Sequence, residues 1–143
     1  MPARPTHGHS PLITRITAAL MALTFLVHVF MGGPEFHEPY QTVLDDPLLR
    51  AMAAVLWHAV SVVLAVLALG LWLLARRPDP ALEAVISGVQ LGFAGLFLWY
   101  GMVQLGSLMP MPQWMIFLAL PVLTRLGQWQ RQPAPLAAPA GGQ

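Results

Sequence analysis

The stretch HVFMGGPEFHEP, residues 28 to 39, sets two histidines, two glutamates, two glycines and two prolines in a chain otherwise dominated by aliphatic side chains. Imidazole nitrogens and carboxylate oxygens are ligands for zinc and copper, and paired histidines also hold haem iron. A third histidine, His58, falls in the next apolar run. His28, His58, Glu35 and His37 are therefore the candidate ligands. Met109 and Met111, in MPMPQWM, add soft thioether sulfur of the kind that suits Cu(I).

What positions these residues follows from composition. The chain has 143 residues, 57% of them hydrophobic and 9% charged, with a mean hydropathy of +0.64. So few charges would leave the surface of a water-soluble domain under-covered, and a bilayer is the natural solvent. Four apolar runs, at about 12–31, 48–75, 82–107 and 113–130, are each long enough at about 1.5 Å per residue to cross a hydrocarbon core of about 30 Å. Backbone groups in lipid must be satisfied within the segment, so these runs are helices. The expected fold is an all-α integral membrane protein, four transmembrane helices in an up-down bundle over residues 12–131. A disordered head (1–11) and a disordered tail (132–143) flank it.

Helix starts carry local signals. Ser10-Pro11, Asp46-Pro47 and Asp79-Pro80 each place a capping side chain before a proline whose missing N–H costs nothing in a first turn. Gly32, Gly33 and Pro34 read as the stop of the first helix, so that the ligand-rich stretch begins inside the membrane and ends outside it.

Charge orients the bundle. Lysine is absent, and six of the seven arginines (Arg4, Arg15, Arg76, Arg77, Arg125, Arg131) fall at the two ends and the loop between the second and third spans. Only Arg50 lies on the other side. The positive-inside bias puts both termini in the cytoplasm and Glu35, Glu38, Asp45 and Asp46 outside. Cleavage after Gly33 would leave Met31 at the −3 position, where a small residue is wanted, so the first span reads as retained. Absence of cysteine excludes disulfides and thiol chemistry.

Helix faces add detail. In the first span Thr14, Thr17, Met21, Thr24, His28 and Met31 form one stripe; in the second, Ala51, Ala54, His58, Ser61, Ala65, Ala68 and Trp72 form another. Gly88, Gly92, Gly95 and Gly106 mark the third. Small residues let membrane helices approach closely, so these stripes are expected as packing seams. His28 lies roughly 6 Å and His58 roughly 12 Å below the outer surface by helical rise, and an ionisable group at that depth is a functional candidate by default. Replacing either is expected to abolish binding, whereas His37→Ala does less.

No GxSxG, P-loop, HExxH or CxxC is present and there is no basic patch for nucleic acid, so the chain does not read as an enzyme or a nucleic-acid binder. In build, over residues 12 to 130, it resembles small four-helix proteins of the bacterial inner membrane, a likeness that transfers no site residues. Three functional readings stand at this point. One is a protein that binds or moves copper or zinc through an outward His/Glu site. Another is a b-type haem protein with His28 and His58 as axial ligands. The third is an accessory subunit docking on a membrane-protein partner, or a homo-oligomer, with structural histidines.

Overall fold

The computed structural model describes residues 11–129, and the expected head and tail, with His7, His9, Arg4 and Arg131, lie outside the described residues apart from Pro11. Every element in the described part is helical: α1 (Pro11–Val27), a π-helical segment (His28–His37), α2 (Glu38–Val43), α3 (Pro47–Arg76), α4 (Pro80–Leu105) and α5 (Gln113–Trp129). α1 packs on α3 and α5, and α4 packs on α5 and α3, so the long helices close into a four-membered bundle in chain order. Short connections at 77–79 and 106–112 make sequence neighbours antiparallel.

Two expected caps are present. The Asp46 carboxylate accepts from Leu48 N–H at 2.7 Å, and that of Asp79 from Ala81 and Leu82 N–H at 2.9 and 3.1 Å. Gly106, with φ +62°, closes α4 in the left-handed conformation that glycine adopts most readily.

The first helix does not stop at Gly32-Gly33-Pro34. It continues without a break from Pro11 to Val43, 33 residues. The continuation is possible because its hydrogen bonding widens: Glu38 N–H donates to Gly33 C=O, five residues back, where an α-helix would use four. In an α-helix the Pro34 ring would collide with the Phe30 carbonyl. A wider turn carries that carbonyl out of line, so the proline is accommodated. The loop that follows is reduced to Leu44, Asp45 and Asp46.

Three helices, Pro11–Val43, Pro47–Arg76 and Pro80–Leu105, are long and apolar enough to cross a membrane. α5, with 17 residues, sits at the short end of the roughly 17–25 that a span needs. Burial is inverted relative to a water-soluble bundle. Thr14, Thr17, Ser61, Gln90, Thr124 and Gln128 are buried, while Val55, Leu56, Val62, Val66, Leu69, Leu91, Leu96 and Trp99 are exposed. An apolar exterior of this extent is suited to lipid.

The interior mixes Met21, Leu64, Leu67, Leu71, Ile86, Ala94 and Leu120 with Phe117, which stacks on Phe93 at 5.1 Å. Its hydroxyls are satisfied locally: Thr17, Thr24 and Thr124 each donate to the carbonyl four residues back. Thr14 accepts from Gln128 Nε2 at 3.3 Å, tying α1 to α5. At the same end Arg125 Nη1 meets the buried Glu83 carboxylate at 3.3 Å. Thr14, Thr17 and Met21 are therefore a packing seam, as expected. The glycine stripe is not one: a Cβ at Gly88, Gly92 or Gly95 would meet nothing within 4 Å. On α3 the inward residues are Ser61, Leu64, Leu67, Leu71 and Leu74, whereas Ala51, His58 and Ala65 face outward. The small-residue stripe expected there lies mostly on the other side of the helix.

Candidate functional site

The π segment begins at His28 and ends at His37. An α-helix of 3.6 residues per turn would put residues nine apart on opposite sides. At about four and a half residues per turn, nine residues complete two turns, so the π segment returns His37 to the face that carries His28. Both then meet α3.

The meeting point is Trp57. His28 stacks on its indole with ring centres 4.0 Å apart and planes 19° apart, and His37 lies nearly parallel to the same indole at 5.6 Å and 17°. The edge of the indole faces Gly32, where a Cβ would come within 3.0 Å of Cη2. Gly32 sits between the two histidines along the helix, so the indole edge meets the π segment between them. Glycine is required here for close approach.

His28 is engaged through its Nε2. Its Nε2 lies 3.1 Å from Ser61 Oγ, and the Ser61 hydroxyl lies 3.1 Å from the Trp57 carbonyl. A serine has one proton to give. With that proton on the Trp57 carbonyl, Ser61 accepts from His28 Nε2–H, and that nitrogen is not free to bind anything else.

His37 is not. Its Nδ1 is buried with no hydrogen-bond partner, and its ring meets the edge of His58 with centres 5.2 Å apart and planes at 64°. The 5.2 Å spacing is that of an edge-to-face ring pair, and it also matches the roughly 5 Å between the centres of two imidazoles on one tetrahedral ion with zinc–nitrogen bonds of about 2.0–2.1 Å. His58 itself is exposed on the outer face of α3. Nearby, Gln41 Nε2 donates to the Arg50 carbonyl at 3.4 Å and Arg50 Nη2 to the Asp45 carbonyl at 3.3 Å, fastening α2 to the start of α3.

The six residues singled out by sequence divide accordingly. His37 and His58 come together, and His28 joins them only through Trp57. Glu35 is exposed, and no hydrogen bond or ring contact among the described residues joins it, Met109 or Met111 to a histidine. Met31, Met52, Met102, Met109 and Met115 are exposed on the outside of the bundle. Among the described residues no three His, Cys, Asp or Glu side chains converge as a metal-binding group. Sequence reasoning missed Trp57 as the centre of the cluster. Its signal was adjacency to His58 and a four-residue step to Ser61. In comparison with known proteins, no family, no curated protein and no solved structure matches this chain.

Proposed function

We propose that this chain is a small multi-pass membrane protein that binds a zinc- or copper-class ion at the end of the bundle where α3 begins, through His37 and His58. The observation that carries the reading is the 5.2 Å approach of these two imidazoles, one of which has a buried nitrogen without a partner. Neutral imidazole is a common ligand for both metals, and an orphan ring nitrogen in a largely apolar setting calls for an acceptor, a donor or an ion. Trp57 and Gly32 hold the register of the pair, and His28 with Ser61 holds Trp57. The distribution of arginines supports a site on the outer face with both termini in the cytoplasm, as in a bacterial inner membrane.

The geometry serves an ion better than a haem. A haem held by His28 and His58 would need the two imidazoles to face each other across it, whereas His28 lies against Trp57 and His58 against His37. A second reading, an accessory subunit with structural histidines, draws on the packing of His28 against Ser61 and Trp57. Protein purified without added metal separates the readings. Elemental analysis showing bound zinc or copper without a Soret band supports the ion site, a Soret band supports haem, and neither supports the accessory subunit.

A further inference from the structure

His37 and His58 are half of a ligand set. A structural zinc site takes four ligands in a tetrahedron, and no third His, Cys, Asp or Glu of the described residues joins the pair. Two positions are left for water or for ligands from outside this bundle, and the position of His58 points to the latter. It lies on the exposed face of α3 in a row formed by Ala51, Val55, His58, Val62, Ala65 and Leu69, all exposed. Their spacing alternates four and three, the repeat by which two helices pack in a left-handed pair, and the residues are small or branched near His58. An imidazole in such a row would face hydrocarbon if nothing covered it, which is costly.

We infer that a second copy of this chain covers the row and completes the ion site. The arginine bias gives every copy the same orientation, so the two-fold axis relating a pair runs along the membrane normal. The two α3 helices are then parallel and in register. In a parallel pair with this repeat, equivalent positions face each other, so His58 of one protomer meets the same residue of its partner. Each brings its own His37 at 5.2 Å. Four imidazoles then stand in one layer across the axis, the number and type of donor that a single zinc or copper ion accepts. The inference rests on the His37–His58 reading and adds to it a stoichiometry of one ion per two chains and an interface on α3.

Absence of cysteine makes the test direct. The full chain carrying Val62→Cys alone, in lipid nanodiscs and in native membranes, is oxidised with iodine with and without added zinc. Val85→Cys, on the exposed face of α4, serves as the control. The expected result is one zinc per two chains and a zinc-promoted disulfide dimer at position 62 but not at position 85. His58→Ala, an exposed substitution that leaves the buried core intact, removes the promotion by zinc and weakens zinc binding by at least about tenfold. One zinc per chain with no cross-link at position 62 overturns the shared site while leaving the His37–His58 pair standing. No bound zinc in any form overturns both.

Discussion

The edge of Trp57 lies against Gly32 so closely that a Cβ on the glycine would stand 3.0 Å from Cη2. The contact sets the distance between the π segment and α3, and through it the placing of both flanking imidazoles. Gly32→Val should displace the indole, cost about 1–3 kcal/mol as an overpacked contact and weaken metal binding. Gly33→Ala is the control, since a Cβ there meets nothing within 4 Å. Reversible unfolding in mixed detergent, read alongside zinc titration of both variants, checks the pair. Equal behaviour would remove Gly32 from its role.

At the opposite end of the bundle Gly127 packs directly on Thr14. A Cβ on Gly127 would fall 2.5 Å from Thr14 Oγ1 and 3.2 Å from Thr14 N, and backbone cannot move aside as a flexible side chain does. Gly127→Ala should therefore destabilise by about 1–3 kcal/mol, whereas Gly92→Ala, in open space, should be neutral or stabilising by up to about 1 kcal/mol through helix propensity. The unfolding midpoints of the two variants decide between these signs.

Much of the architecture was legible because it depends on local chemistry. Asp46 and Asp79 before their prolines announce helix starts, and the lengths of the apolar runs announce spans. The first helix was misjudged at Gly32-Gly33-Pro34 because these residues are breakers of an α-helix, and only a wider hydrogen-bond pattern reconciles them with a continuous one. The same change of period hid the site. Counted at 3.6 residues per turn, His37 faces away from His28, and depth alone then pairs His28 with His58. The π segment brings His37 round and leaves His28 to Ser61 and Trp57. The glycines at 88, 92 and 95 read as a seam because small residues favour close packing, but among the described residues a Cβ at any of them would meet nothing within 4 Å.

The orientation that the arginines favour is open to a simple check in a chain without cysteine. A cysteine at Glu38, exposed on α2, should react with a membrane-impermeant maleimide added to intact cells. One at Pro78, in the turn between α3 and α4, should react only after permeabilisation. The reverse pattern would place the histidine cluster on the cytoplasmic side.

The ion site itself is tested most directly by zinc affinity in three single variants of the full chain, measured by competition with a chelating dye. His37→Ala and His58→Ala each remove a ligand and should weaken binding by at least about tenfold, while His28→Ala, which removes a stacking and hydrogen-bonding partner of Trp57 and no ligand, should weaken it less than either. This order differs from the one that depth in the membrane suggests, which ranks His28 above His37. Wild-type affinity in both His37→Ala and His58→Ala, with folding and insertion intact, would contradict the assignment.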